Sequence, residues 1–275
     1  MLTITSPDNP RVRLARALIQ ARERKKKGCY RLEGTKLVAT ALESGAPLEY
    51  VLFSPAALDR PEGKALRVAL EAASVSCYLV AERLWSGLSS TSSPQGVLAV
   101  VRRQEPDLEA VLRPSGLFLA LDGIQDPGNA GTLVRTAAAA GCQGVVALTG
   151  TTDLYADKCL RAAAGTQFYL PVITGVKPQT LVLEAERRGL GLVVAVPQGG
   201  VPYYRYSWNR SLVLVVGNEG QGPRPEMAGR IPERVTVPMW RGESLNVAVA
   251  AAVMLFEAAR QRTEAEPFDN PSGSG

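Results

Sequence analysis

The chain has 275 residues, of which 46% are hydrophobic and 21% are charged. This length predicts one large domain or two modest ones, and the composition is that of a globular protein. Histidine is absent, which excludes Ser-His-Asp and Cys-His catalysis and His-ligated metal sites. The four cysteines form no CxxC pair, so neither a zinc cage nor a disulfide framework is predicted, and we expect no metal.

No apolar run reaches the roughly 18 residues that cross a bilayer, and the N-terminus lacks the apolar segment of a secretion signal. We therefore expect a soluble cytoplasmic protein with no membrane partner. The formal net charge is +5, and basic residues are concentrated between Arg11 and Lys27. Such a run favours contact with a polyanion, although a solvated helix face gives the same pattern.

Residues 1–103 are predicted to form a small mixed α/β unit. The helices are expected at about 9–25, 33–43, 62–73 and 82–88, and the strands at 50–53, 77–80 and 97–101. A hydroxyl-rich loop, 89–96, precedes the last strand. This loop could donate hydrogen bonds to phosphates or be a plain surface connection.

Residues 104–115 are polar, contain two prolines and are predicted to be a linker. After them, short apolar strands alternate with helices up to residue 262, and the polar tail 263–275 is expected to be disordered. The strands are predicted at 118–121, 144–148, 192–196, 212–216 and 234–237, and the helices at 131–140, 157–164, 179–188, 223–229 and 244–262. This alternation indicates an α/β fold whose parallel sheet is covered on both faces.

Ligands bind at the carboxyl ends of the strands in such a sheet, so the loops that follow strands carry the functional signal. The first loop contains Asp126-Pro127-Gly128-Asn129, which is typical of a turn or a helix N-cap. Arg135 lies further along the predicted helix, where its guanidinium could clamp a phosphate.

The second loop, 217–223, has three glycines after a buried strand, and these would let backbone groups approach a ligand closely. Glu219 places a carboxylate in the same loop. Gly217 and Gly222 have the spacing of a P-loop, but Pro223 and Arg224 stand where lysine and serine or threonine are required. The loop is not GxGxxG either, so neither usual nucleotide motif is present.

The third segment, 237–246, leads into a long apolar helix. Ser244 is predicted to be the N-cap of that helix. Because the helix is apolar all round, we expect it to be buried on every side, with Asn246 hydrogen-bonded or directed into a site. Such a helix also indicates a subunit interface.

Taken together, DPGNAGTLVRTAAAAG, VVGNEGQGP and VPMWRGESLNVAVAAAVMLFE resemble the TrmH branch of the SPOUT superfamily in order and spacing. Members of this branch are S-adenosylmethionine-dependent RNA ribose 2′-O-methyltransferases. The basic start and LEGTKLVATALESG resemble the N-terminal substrate-binding domain of its ribosomal-RNA enzymes, which has a ribosomal-protein-like α/β fold. The resemblance implies a deep trefoil knot in the domain 116–262, with S-adenosylmethionine bound in the knot.

The resemblance also implies roles for individual residues. The cofactor pocket should include Leu148, Thr149, Gly150, Gly217, Asn218, Gly222, Val237, Met239, Leu245 and Asn246. The residues with catalytic weight should be Asn129, Arg135, Glu219, Ser244 and Asn246. A guanidinium is a poor proton acceptor. Our hypothesis is therefore that Arg135 binds a phosphate and stabilises negative charge on the 2′-oxygen, while Glu219 and Asn246 orient it.

In this family an arginine of one subunit serves the cofactor bound by the other, which implies a homodimer. The N-terminal domain implies an RNA substrate, with contacts from Arg11, Arg13, Arg22, Arg24, Lys25, Lys26 and Lys27. Ribosomal RNA, specifically 23S, is favoured because the long C-terminal extension of the transfer-RNA enzymes is missing. The alternatives are a transfer-RNA 2′-O-methyltransferase and a catalytically inactive RNA-binding protein, while a nucleotide-dependent enzyme is disfavoured by the loops. An aromatic cluster could stack on RNA bases or belong to the core: Tyr203, Tyr204, Tyr206 and Trp208.

Overall fold

The computed structural model describes residues 1–91, 93–242 and 244–265. Most of the tail predicted to be disordered lies outside the described residues. Two compact units are present: unit 1 comprises Met1–Gln104 and Asp153–Tyr169, and unit 2 comprises Glu105–Thr152 and Leu170–Gly275. None of the described helices has the length and apolar character that a membrane crossing requires.

The elements before residue 104 are β1 (Leu2–Ile4), α1 (Pro10–Ala17), α2 (Ala21–Lys27), β2 (Cys29–Glu33), α3 (Thr35–Glu43), β3 (Leu48–Phe53), α4 (Pro55–Asp59), α5 (Pro61–Ala72), β4 (Cys77–Val80) and β5 (Val97–Arg102). The elements after it are α6 (Leu108–Val111), β6 (Leu117–Asp122), α7 (Pro127–Ala139), β7 (Gly144–Leu148), α8 (Asp157–Ala162), β8 (Val172–Val176), α9 (Pro178–Arg187), β9 (Gly191–Ala195), β10 (Val201–Pro202), β11 (Leu212–Gly217), α10 (Pro225–Ala228), β12 (Glu233–Thr236) and α11 (Val247–Ala265). Short 3₁₀ turns occur at Glu82–Gly87, Thr166–Phe168 and Tyr203–Arg205.

Unit 1 is built on a five-stranded mixed sheet with the order β1-β4-β3-β5-β2. The pairs β1–β4 and β3–β4 are parallel, and β5 runs antiparallel to β3 and β2. Alternate side chains of β3 bury opposite faces: Val51 and Phe53 join one apolar cluster, and Leu52 joins the other. The predicted mixed α/β character of this part of the chain is confirmed.

The basic segment forms two helices, where the sequence predicted one helix at about 9–25. Arg24, on α2, donates hydrogen bonds to the carbonyl oxygens of Leu18 and Ile19 at 2.8 and 2.7 Å. These carbonyls follow α1, so the guanidinium satisfies backbone groups that the helix end leaves unpaired. The same guanidinium donates to the carboxylate of Asp153 at 2.7 Å.

The prediction that Arg24 contacts RNA is therefore wrong. Its side chain is buried, with 5% of its surface exposed, and its guanidinium is occupied by protein oxygens. The other six predicted contacts are exposed: Arg11, Arg13, Arg22, Lys25, Lys26 and Lys27.

The hydroxyl-rich loop is organised by a buried carboxylate. Glu33 accepts hydrogen bonds from the hydroxyl groups of Ser89, Ser90 and Thr91, and from the backbone N–H of Ser90 at 2.9 Å. Three of the hydroxyls considered as phosphate donors are thus turned towards the protein. The interpretation of the loop as a set of phosphate donors is corrected for these three residues, and Ser92 lies outside the described part of the chain.

Segment 153–169 belongs to unit 1, although the sequence placed it within the domain 116–262. Arg31, on β2, has no exposed surface, and its Nε donates to the carboxylate of Asp157 on α8 at 2.9 Å. A buried cation without a paired carboxylate is costly. Asp157 therefore supplies the charge that allows Arg31 to be buried in unit 1.

Unit 2 contains a seven-stranded sheet with the order β10-β12-β9-β11-β6-β7-β8, and every pairing in it is parallel. Strands β6, β7 and β11 are buried along their whole length. The predicted parallel α/β sheet is confirmed, while the trefoil knot stays a prediction. Asp122 pairs with Gly217 at the carboxyl ends of β6 and β11, which brings the first and second loops side by side.

Helix α11 buries one face only. Ala251, Leu255 and Ala258 have no exposed surface, whereas Val249 and Phe256 are each 51% exposed. The prediction that this helix is buried on every side is therefore wrong for the single chain. Because Val249 and Phe256 are seven residues apart, they lie on the same face of the helix.

Candidate active site

A buried carboxylate at the end of β6 forms an ion pair with Arg224. Asp122 has no exposed surface, and its carboxylate accepts hydrogen bonds from the backbone N–H of Arg224 at 2.8 Å and from the Nε of that residue at 2.6 Å. The pair joins the end of β6 to the chain just after the glycine-rich loop. The loop is therefore fixed at its far end as well as at β11.

Asn218 organises the glycine-rich loop from within. Its Nδ2 donates to the carbonyl oxygen of Gly123 at 3.0 Å, and its Oδ1 accepts from the N–H groups of Gly220 and Gln221 at 2.9 and 3.1 Å. The asparagine side chain thus holds the second loop against the first. Sequence reasoning assigned Asn218 to the cofactor, and the structure shows this structural contact in addition.

Gly217 is required where the loop turns back on itself. A Cβ atom at this position would lie 2.0 Å from the backbone nitrogen of Pro223, closer than real Cβ contacts. Glycine is the residue that allows such a close backbone approach. The glycines of this loop therefore form a compact turn that borders a cavity.

One carboxylate connects the second loop to the first. Glu219 accepts from the N–H groups of Gln125 and Asp126, each at 3.3 Å, and from Nδ2 of Asn129 at 3.1 Å. Partial burial would raise the pKa of Glu219, but these hydrogen bonds outweigh it, and the pKa lies below its usual value. The carboxylate is therefore ionised at neutral pH.

A third segment joins this network through two asparagines. The Nδ2 of Asn246 donates to Oδ1 of Asn129 at 3.1 Å. Glu219, Asn129 and Asn246 thus form a continuous hydrogen-bonded chain, which we call the polar triad. Each residue comes from a different one of the three segments that the sequence singled out.

Asn246 is the N-cap of α11, where the sequence predicted Ser244. Its Oδ1 accepts from the N–H groups of Ala248 and Val249 at 2.9 and 3.3 Å, the pattern of a capping side chain. The helix begins at Val247, three residues later than expected. Ser244 lies in the preceding segment and lines the cavity instead.

Asn246 both caps α11 and donates a hydrogen bond to Asn129, and substitutions can separate these two roles. Replacing it with alanine removes the cap, and we expect the free energy of unfolding to fall by about 1 kcal/mol. Replacing it with serine keeps a capping oxygen but is too short to reach Asn129. Urea denaturation should therefore show a loss for Asn246→Ala and near wild-type stability for Asn246→Ser. Equal losses in both variants would contradict the capping role.

A cavity of about 260 Å³ lies between the glycine-rich loop, the ends of β9 and β11, and α11. Six predicted cofactor residues line it: Gly217, Asn218, Gly222, Val237, Met239 and Leu245. Two predicted catalytic residues also line it: Glu219 and Ser244. Four predicted cofactor residues are not among its lining residues: Leu148, Thr149, Gly150 and Asn246.

Sequence reasoning missed two parts of the wall. They are the chain at and after the end of β9 (195–197) and three residues of α11, Val247, Ala250 and Met254. The first part could have been found, since β9 neighbours β11 in the parallel sheet and ligands bind at the carboxyl ends of such strands. The second part depends on how α11 packs, which no local pattern reveals.

The lining fits a cation with an apolar body. Among the described lining residues, Glu219 is the only one with a formal charge, and aliphatic side chains such as Val216 and Met254 form much of the rest. A carboxylate beside aliphatic walls suits a ligand in which a positively charged sulfonium is joined through a ribose to a flat aromatic base. The volume is near the lower end of the roughly 300–1,000 Å³ typical of small-molecule sites. No group of three or more Cys, Asp or Glu side chains suited to a metal occurs in the described residues.

Arg135 stands apart from this network. It is exposed on α7, and no described residue forms a hydrogen bond or an ion pair with its side chain. The structure therefore brings together four of the five predicted catalytic residues. The side chain of the fifth, Arg135, is free to bind a ligand. Its guanidinium keeps all its donors for that ligand.

Residues 116–256 match the family model described as the SpoU rRNA Methylase family. The chain belongs to this family. Residues 9–99 match a second model, the MRM3-like substrate binding domain. The identification from the three motifs is thereby confirmed, as are the class of enzyme, an RNA 2′-O-methyltransferase, and its cofactor, S-adenosylmethionine.

The chain is similar to characterised relatives along nearly its whole length. It is 34% identical over 257 residues to the 23S rRNA (guanosine(2553)-2′-O)-methyltransferase RlmP of Bacillus subtilis, covering 93% of this chain and 98% of the relative. The AdoMet-bound rRNA methyltransferase of Sinorhizobium meliloti aligns with a TM-score of 0.82 and 30% identity, over 94% of this chain and 97% of that one. The SpoU methyltransferase AviRb of Streptomyces viridochromogenes with AdoMet aligns with a TM-score of 0.85 and 27% identity, over 92% and 98%.

Proposed function

We propose that this chain transfers the methyl group of S-adenosylmethionine to the 2′-hydroxyl of a nucleotide in 23S ribosomal RNA. The observation that carries the proposal is the polar triad, whose carboxylate is also the charged group among the described residues of the cavity wall. The similarity to the 23S rRNA enzyme of Bacillus subtilis supports ribosomal RNA as the substrate. The expected cytoplasmic location is part of the same proposal.

The residues that would hold the cofactor are those of the cavity wall. Aliphatic side chains, including Val237, Leu245 and Met254, would bury the apolar parts of the ligand. The loop 217–222 would offer backbone N–H and C=O groups at close range. When bound, the cofactor supplies a methyl group that is already activated by a positive sulfur. Leu148, Thr149 and Gly150 remain proposed contacts for a part of the ligand that extends beyond the cavity.

We assign complementary tasks to Arg135 and to the polar triad. Arg135 would bind the phosphate beside the target ribose and stabilise the negative charge that develops on the 2′-oxygen. Asn129 and Asn246 would hold the carboxylate of Glu219 and the acceptor ribose in a fixed orientation. Pre-oriented polar groups lower the barrier because they need no rearrangement during the reaction.

A homodimer is the proposed assembly. Val249 and Phe256 are each 51% exposed, and they form an apolar stripe on one face of α11. Large apolar side chains in such a stripe are typical of an interface between subunits. In a dimer, the arginine that is not bound within its own chain could serve the cofactor site of the partner.

The stripe gives a direct test of the dimer. Phe256→Glu would place a charge in the apolar contact, and we expect the mass in solution to fall from twice 29.3 kDa to the mass of one chain. Multi-angle light scattering over a range of concentrations measures this change. The matched control is Leu183→Glu, because Leu183 is 64% exposed on α9 and away from the stripe. A wild-type protein that is monomeric and fully active would contradict the proposal.

The exposed basic residues of α1 and α2 would supply the RNA contacts of unit 1. Arg11, Arg13, Arg22 and Lys25–Lys27 can each approach a phosphate. Phosphate contacts position a large RNA without reading its sequence. Unit 1 would therefore add affinity, while the choice of nucleotide would be made at the methylation site.

The function is tested by methyl transfer from radiolabelled S-adenosylmethionine to unmodified ribosomal RNA and transfer RNA in parallel. Alkaline hydrolysis follows, because a 2′-O-methyl group leaves an alkali-resistant dinucleotide. We expect the label in such a dinucleotide from 23S rRNA. Label in transfer RNA alone would overturn the substrate, and cofactor binding without transfer to any RNA would favour a catalytically inactive RNA-binding protein.

A further inference from the structure

One aromatic side chain near the cavity has no partner in the described chain. Of the three tryptophans, Trp85 and Trp208 are buried, with 3% and 0% of their surfaces exposed, whereas Trp240 is fully exposed at 103%. A tryptophan is a large apolar group, and leaving it entirely in water forgoes a substantial burial free energy. Scattered exposed apolar residues are ordinary, but an indole with no burial at all beside a ligand cavity calls for an occupant.

The position of Trp240 in the chain ties it to the cavity. Met239, directly before it, lines the cavity, and the chain returns to the same wall at Ser244 and Leu245. The loop between them therefore begins and ends at the cofactor cavity. Arg241, directly after Trp240, is also exposed. The loop thus presents an aromatic face and a cation next to the site of chemistry.

The cavity offers no aromatic surface, among its described lining residues, on which an RNA base could stack. Its described lining residues include no phenylalanine, tyrosine or tryptophan. Yet the ribose that is methylated must reach this cavity, and its base and its neighbours must be accommodated close by. Unstacked RNA bases are commonly held by aromatic side chains, with arginine or lysine on the adjoining phosphates. Trp240 and Arg241 supply this combination.

We infer that Trp240 stacks on a base of the RNA substrate at the methylation site and that Arg241 contacts a neighbouring phosphate. This inference rests on the proposed function, since it presupposes an RNA acceptor at the cavity. Trp240 is a substrate-binding residue in this assignment. It would act on the capture and placement of the RNA, and the affinity for S-adenosylmethionine would not depend on it.

The distribution of tryptophans makes the contact directly observable. Because Trp85 and Trp208 are buried, the difference in emission between the wild type and Trp240→Phe reports Trp240 alone. In the free protein we expect this emission to be red-shifted and accessible to acrylamide. Addition of an unmodified 23S rRNA transcript should quench it and protect it from acrylamide, as expected for an indole that stacks on a base.

Steady-state kinetics with the same transcript give the second readout. Trp240→Ala should lower kcat/KM for RNA roughly 5- to 150-fold, the range for loss of one aromatic stacking partner. Trp240→Phe should keep most of the activity because it keeps an aromatic face. The matched control is Leu183→Ala, since Leu183 is 64% exposed in unit 2 but does not line the cavity, and it should leave kcat/KM unchanged. Cofactor affinity should be equal in all four proteins.

The outcomes separate this inference from the proposed function. If the wild type methylates 23S rRNA but Trp240→Ala matches it and the emission of Trp240 is not quenched, the stacking assignment is overturned and the proposed function stands. Emission that is blue-shifted and shielded from acrylamide in the free protein would place Trp240 against a second copy of the chain, which also overturns it. If no RNA is methylated by the wild type, the proposed function fails and the assignment fails with it.

Discussion

Arg135→Ala is expected to lower turnover on 23S rRNA roughly 30- to 1000-fold, which corresponds to about 2–4 kcal/mol of transition-state stabilisation. The side chain of Arg135 is exposed and has no ion pair or hydrogen bond among the described residues. Its removal should therefore leave the fold intact and affect only the contact with the reacting ribose and phosphate. The measurement is single-turnover methyl transfer, together with calorimetric titration of S-adenosylmethionine.

Two variants sharpen this test. Arg135→Lys keeps the positive charge but loses the planar fork of donors, so it should recover only part of the rate. Arg230→Ala removes another exposed arginine of unit 2 and controls for a general loss of positive charge. An Arg135→Ala enzyme with near wild-type turnover, or an equal loss in Arg230→Ala, would refute the assigned role.

Arg224→Met is expected to lower the free energy of unfolding by about 3–5 kcal/mol, because it leaves the carboxylate of Asp122 buried without its cation. Asp122 has no exposed surface, and the backbone N–H of residue 224 would remain its donor. Since the pair anchors the end of the glycine-rich loop, cofactor affinity should also fall. Urea denaturation monitored by circular dichroism measures the free energy of unfolding, and a separate titration of the folded protein measures the cofactor affinity.

A double-mutant cycle shows whether the loss comes from the stranded charge. Asp122→Asn combined with Arg224→Met removes both charges, and we expect it to be more stable than Arg224→Met alone. The control is Arg187→Met, whose exposed ion pairs with Glu109 and Glu184 should be worth at most about 1 kcal/mol. A double variant that is less stable than the single one would show that the carboxylate itself is not the source of the cost.

The central strands were predictable because burial on both faces leaves a continuous apolar run. The predicted strands at 118–121, 144–148 and 212–216 agree with β6, β7 and β11 to within one residue. Strand β8 was missed because Pro171 and Gly175 gave it the composition of a turn. Strand β2 was missed because it carries Arg31 and Glu33, and local pattern does not reveal that both side chains find partners when buried.

The sequence predicted which segments form the site, but it did not predict the contacts between them. The resemblance of the three motifs to a known family implied roles for Asn129, Glu219 and Asn246, but the hydrogen bonds that join them depend on how three distant segments converge. The cap of α11 shows the same limit, since Ser244 and Asn246 are both good capping residues and tertiary contacts select the second. Arg24 is a further example of this limit, because nothing in a run of basic residues indicates which guanidinium will be buried.

The order in which unit 1 can be completed follows from its discontinuity along the chain. The carboxylate that neutralises Arg31 is 126 residues away in sequence, beyond the first two strands of the parallel sheet. During synthesis the amino-terminal part therefore emerges before segment 153–169, which completes its core. Contacts between residues so far apart in sequence slow folding. A fragment ending at residue 104 would keep the buried guanidinium of Arg31 but lack the carboxylate that neutralises it. Unit 1 is thus compact in the structure, but its last part is synthesised only after part of unit 2. Exchanging the amino-terminal half between relatives would therefore require moving segment 153–169 with it.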